Sequence, residues 1–158
     1  MIKNIFLKTP ILKEYKINKS IDFIKNKLES DKSKSFYYKT LWNKEFQISL
    51  NFSFGSNLLI DANYQSKSDI KARGKFKELE PNLTTFKLET EYPYMFVTCL
   101  ALMFFAIILG KIFIEPTIPI EFALLPILMF FGVGYFVNSE YERLFKNFDA
   151  YCNKLNSL

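Results

Sequence analysis

Residues 45–54 read Glu45-Phe46-Gln47-Ile48-Ser49-Leu50-Asn51-Phe52-Ser53-Phe54, a strict alternation of polar and apolar side chains. Successive side chains of an extended chain point to opposite faces, so Phe46, Ile48, Leu50, Phe52 and Phe54 share one face. That period predicts a strand buried on one side. Gly55-Ser56 reads as a two-residue hairpin turn, with Leu58, Ile60, Ala62 and Tyr64 forming the apolar face of a return strand. A third alternation sets Ile70, Ala72, Gly74 and Phe76 inward and Lys71, Arg73, Lys75 and Lys77 outward. After the turn at Glu80-Pro81-Asn82, a fourth strand divides Phe86, Leu88 and Tyr92 from Lys87, Glu89 and Glu91. Upstream, Phe36, Tyr38 and Trp42 share a parity and predict a further strand over 35–42. Ser20 is an N-cap for a helix over 21–29 with Ile21, Ile24 and Leu28 on one face. An antiparallel meander with one apolar face needs a cover, which this helix and the N-terminal segment supply; residues 1–93 form an α+β domain.

The chain has 158 residues, 49% of them hydrophobic and 23% charged, and only two cysteines, which excludes a disordered polymer and a disulfide scaffold. It contains no histidine, so Ser-His and Cys-His pairs, His-rich zinc sites and the usual neutral-pH proton shuttle are absent. No phosphate-binding glycine loop, nucleophile elbow or paired CxxC is present. Carboxylates occur singly on predicted surfaces. The expectation is a chain that is not an enzyme, with no catalytic residue, cofactor or metal.

Charge is spread unevenly. Tyr94 to Gly110 reads YMFVTCLALMFFAIILG and Phe122 to Asn138 reads FALLPILMFFGVGYFVN, both without a charge. A helix over 94–114 would rise roughly 31 Å, about one hydrocarbon core. A second over 120–138, begun or bent by Pro119 and Pro126, completes a transmembrane hairpin over 94–138. Lys111 is its interfacial anchor, and Gly132 and Gly134 are its helix-packing positions. Lysines and arginines before the first span and after the second place both termini in the cytoplasm, with the protein integral to a bacterial inner membrane. The hairpin serves as the targeting element, since residues 1–20 build no continuous apolar stretch of the signal-peptide kind. The Asn-x-Ser/Thr sequences at Asn18, Asn51 and Asn82 are read as chance, and Cys99 and Cys152 as reduced apolar filler. Residues 139–158 form an amphipathic tail helix, with Tyr141, Leu144, Phe145, Phe148, Cys152 and Leu155 on one stripe. It is free to continue the second span, dock on the domain or pair with another copy. The fold class is thus an α+β membrane protein.

Gly74-Lys75-Phe76, Thr84 to Leu88, the Pro126 to Tyr135 stretch and Glu140/Glu142 carry a resemblance to a family of small uncharacterised two-span bacterial membrane proteins. That resemblance implies architecture only. The row Lys71, Arg73, Lys75 and Lys77 is the most suggestive surface feature. Its strand face lacks the stacking aromatics that a nucleic-acid binder uses, so the expected contact is with membrane lipids at the headgroup surface. The expected function is a non-enzymatic, membrane-anchored interaction or regulatory module. Its partners are lipids, another membrane or cytoplasmic protein, or a second copy through the tail helix. The alternative is a membrane-perturbing effector or small channel that oligomerises through its two spans.

Overall fold

The alternation at 45–50 becomes an inner strand of a five-stranded antiparallel sheet. The computed structural model describes residues 11–51, 68, 70–91, 94–113 and 124–158. Its elements are β1 (Leu12–Ile17), α1 (Ile21–Ser30), β2 (Phe36–Thr40), β3 (Glu45–Leu50), β4 (Lys71–Glu80), β5 (Leu83–Thr90), α2 (Tyr94–Phe113) and α3 (Leu124–Asn156). The strand order is β1-β5-β4-β3-β2. Ser20 caps α1 as expected: its side chain accepts from the Phe23 amide, and Ile21, Ile24 and Leu28 are buried.

One sheet face is largely apolar. Tyr15 and Ile17 of β1, Phe86 and Leu88 of β5, Ala72 and Phe76 of β4, Phe46, Ile48 and Leu50 of β3, and Phe36 and Tyr38 of β2 are all buried. The cover is α1 together with the C-terminal part of α3, where Tyr141, Leu144, Phe145, Phe148, Tyr151, Cys152 and Leu155 are buried. Phe148 stands among four rings, with centroids 5.2 Å from Tyr15, 5.3 Å from Phe36, 5.9 Å from Phe86 and 6.4 Å from Phe46. The tail helix is therefore part of the core, and its apolar stripe is spent inside the chain.

Several sequence expectations need correction. β3 pairs directly with β4 on one side and with β2 on the other, and the expected return strand at 58–64 lies outside the described residues. Residues 52–67, including Phe52, Phe54 and the expected turn at Gly55, lie outside the described residues. The cover expected from the N-terminal segment is instead a strand where the chain is described: β1 pairs with β5 at the sheet edge. Trp42 does not share the core with Phe36 and Tyr38 but is 90% exposed. The Glu45 amide bonds the Trp42 carbonyl at 3.1 Å, and Asn43 and Lys44 take φ of 56° and 62°. Two positive φ values at the centre of this four-residue closure make a type I′ turn, which ends β2 before Trp42 can point inward.

The membrane reading is also corrected. Among the described residues no helix is long and apolar enough to cross a membrane. That overturns the two spans at 94–114 and 120–138, the inner-membrane localisation and the topology drawn from them. The second expected span is not a separate element. Residues 124–138 continue without a break into the tail, and Val137 and Asn138 are already buried against the domain.

Candidate functional site

Two surfaces remain after the core is accounted for. The first is an apolar helical arm formed by α2 and the N-terminal part of α3, which leaves the sheet at its Thr90 end. The Tyr141 hydroxyl donates to the Glu91 carbonyl, fixing α3 to the chain just before α2 begins. On α2, Leu102, Met103, Phe104 and Phe105 are all exposed, as are Ile108 and Leu109. Four consecutive helical residues, about 100° apart, point in every direction around the axis. A single neighbouring helix cannot cover such a surface. On α3 the exposed set continues with Leu128, Phe131, Tyr135 and Phe136. Elsewhere among the described residues, exposed large apolar side chains such as Leu12, Trp42 and Leu79 are scattered over the domain.

The two expected helix-packing glycines behave differently. Gly134 is buried, whereas a Cβ at Gly132 would meet nothing within 4 Å among the described residues. Lys111 falls within α2, with its side chain outside the described ones. A glycine that does serve close approach is Gly74, where a Cβ would come within 2.5 Å of the Phe46 ring and 2.9 Å of Leu88.

The second surface is the open face of the sheet. Lys71, Arg73, Lys75 and Lys77 line it along β4, but the row is interleaved with carboxylates from neighbouring strands. Arg73 lies 3.1 Å from Glu91, and Lys75 lies 3.4 Å from Glu45. Lys87 of β5 joins the face directly opposite Lys75 and lies 3.6 Å from Glu14. Sequence reading placed Lys87 on the outer face without matching it to Lys75. The match depends on a register that a bulge between Glu78 and Glu80 shifts, and alternation alone carries no such information.

The polar groups at the edge of the inner face pair across the contact between α3 and β1. Tyr15 donates to the Asp149 carboxylate at 2.7 Å, and Lys13 pairs with the same carboxylate. Burial first, and this hydrogen bond second, push the Tyr15 phenol well above its usual range. Burial, with Asp149 adding to it, pushes the Cys152 thiol up to about 12, which leaves no thiolate for nucleophilic work near neutral pH. These groups tie α3 to β1. Among the described residues no cluster of three or more cysteine or carboxylate side chains could hold a metal ion. No protein-family model matches the chain, and no curated protein or solved structure is detectably similar to it.

Proposed function

We propose that the chain is a non-enzymatic interaction module, in which a packed α+β domain presents an apolar helical arm to an apolar partner surface. The supporting observation is the exposure of Leu102, Met103, Phe104 and Phe105 on every side of one helical turn. Contiguous exposed apolar surface marks an interaction site, because leaving it in water forfeits about 25 cal/mol for each Å² that a partner would cover. The domain that carries the arm has its own core, so arm and core can be perturbed separately.

Light scattering on the purified full-length chain tests this. The wild-type chain is expected to be monodisperse only when detergent micelles or a bound partner cover the arm, and to assemble into large species in plain buffer. Leu102, Phe105 and Ile108 changed together to Ser should reduce that assembly while leaving the unfolding midpoint of the domain in place. A wild-type chain that is monomeric and monodisperse in plain buffer would end the proposal.

A further inference from the structure

Reading the open face of the sheet across the strands gives the row Glu14, Lys87, Lys75, Glu45, where each is the register partner of the next. Two lysines directly opposite each other stand about 5 Å apart at Cβ and repel, an arrangement that destabilises a sheet. Each is drawn outward by a flanking carboxylate, Lys75 by Glu45 at 3.4 Å and Lys87 by Glu14 at 3.6 Å. These ion pairs are long and well exposed, so they relieve the repulsion only in part. The next row towards the β4–β5 turn adds Lys77 opposite Thr85, with Lys16 beyond it on β1. It contributes cations and a hydroxyl but no carboxylate. Lys75, Lys77, Lys87, Thr85, Glu14 and Leu79 line a depression of about 470 Å³ there.

We propose that this depression binds the phosphate group of a soluble phosphorylated small molecule. A phosphate carries about 1.5 to 2 negative charges near neutral pH and presents several acceptor oxygens. Seated between Lys75 and Lys87, it converts a repulsive contact into two attractive ones. Lys77 supplies a third ammonium, and the Thr85 hydroxyl, which now donates to the Lys77 carbonyl at 3.3 Å, is within the same depression. Glu14 is the competing anion, since it holds Lys87 when the site is empty. The site lies on the half of β4 away from Thr90, where the apolar arm leaves the sheet. That position favours a small diffusible ligand over the headgroups of a membrane.

Thermal unfolding of the full-length chain, held monodisperse in a neutral detergent, tests the site with inorganic pyrophosphate as probe. Sodium chloride at equal ionic strength is the reference, so general screening cancels. Pyrophosphate in the millimolar range is expected to raise the midpoint saturably, by a few degrees at about 100 times the dissociation constant. Lys87→Gln should raise the midpoint in chloride, because the repulsion is gone, and should lose the pyrophosphate response. Glu14→Gln should strengthen that response severalfold, and Lys39→Gln, on the same face but on β2, should leave it intact. An equal response in wild type and Lys87→Gln, or none beyond chloride, overturns the proposal. A charge-dependent gain in binding to phosphatidylserine over phosphatidylcholine vesicles, lost in Lys77→Gln and without any pyrophosphate response, overturns it in favour of a lipid surface.

Discussion

Leu128 and Leu144 stand on the same helix, and one is 70% exposed while the other is fully buried. The residue type is identical, so the difference comes from what surrounds each in sequence. Around Leu144, apolar side chains recur at Tyr141, Phe145, Phe148, Cys152 and Leu155, with Glu140, Glu142, Arg143, Lys146 and Asp149 between them. That segregation gives the helix one face to bury and one to leave in water, so it can dock on the sheet in one orientation. Around Leu128 no such polar face exists. A helix that is apolar on all sides gains from any apolar cover but is oriented by none, and the sheet has no second apolar face to offer it. Apolar content decides that a segment seeks burial; the polar residues among it decide where.

Deleting the same atoms at both places separates the two environments most clearly. Leu144→Ala should cost about 2–5 kcal/mol, the range for opening a cavity in a packed core. Leu128→Ala should stay within about 0.5 kcal/mol of wild type. Urea unfolding monitored by circular dichroism, on the full-length chain in neutral detergent, measures both. Similar losses at the two sites would mean that the arm is packed as tightly as the tail.

How far the sequence could be read follows the same division. The helix at 21–29 and, as far as the described residues reach, the alternations at 45–54, 70–77 and 86–92 are legible, because burial of one face imposes a period that survives any change of neighbours. What failed required knowledge of partners. The β1 strand, with Leu12 and Lys16 exposed and Tyr15 and Ile17 buried, is held by its pairing with β5 more than by its own pattern. Docking of the tail is one of three outcomes open to the sequence, since an amphipathic stripe does not name its receptor. The basic row is legible as four residues, but its partners Glu45 and Lys87 come from other strands, and Glu91 from just past the end of β5, so they appear only with the register. The apolar run at 94–114 was read as a span from length and hydrophobicity, and no helix among the described residues meets both requirements.

Two glycines sharpen the contrast with a smaller effect. At Gly74 an added methyl would meet Phe46, itself fully buried, stacked 4.3 Å from Phe76 and edge-on to Phe86 at 5.4 Å. The ring has nowhere to move, so Gly74→Ala should destabilise the chain by about 1–3 kcal/mol through overpacking. At Gly132 the methyl meets open space within a helix, and Gly132→Ala should stabilise that helix locally by about 0.5–1 kcal/mol. The opposite signs are the test, read as shifts in urea midpoint for Gly74→Ala and in helical ellipticity for Gly132→Ala. A silent Gly74→Ala would show that Phe46 is less constrained than its ring contacts indicate.

The smallest expected effect lies where the far end of the docked helix meets α1. Asp31, the C-cap of α1, accepts from the Ser33 hydroxyl at 2.6 Å and the Ser33 amide at 2.8 Å, and Lys154 of α3 lies 3.7 Å away. These hydrogen bonds first, and the charge of Lys154 after them, hold the carboxyl down at about 2 against an ordinary 3.8. A carboxyl whose folded value lies below its unfolded one stabilises the fold above the unfolded value. That contribution is lost as pH falls through the folded one. The stabilisation is therefore complete above about pH 4 and fades towards pH 2. Asp31→Asn keeps an acceptor for Ser33 but removes the charge, so the difference in urea midpoint between wild type and variant should be constant from pH 4 to 6 and shrink between pH 4 and 2. Asp31 belongs to the packed domain and not to the arm, so the arm's state of assembly should not follow this titration. If the difference persists undiminished at pH 2, the Ser33 contacts do not hold the ionised form, and Asp31 acts at this corner of the fold through its shape alone.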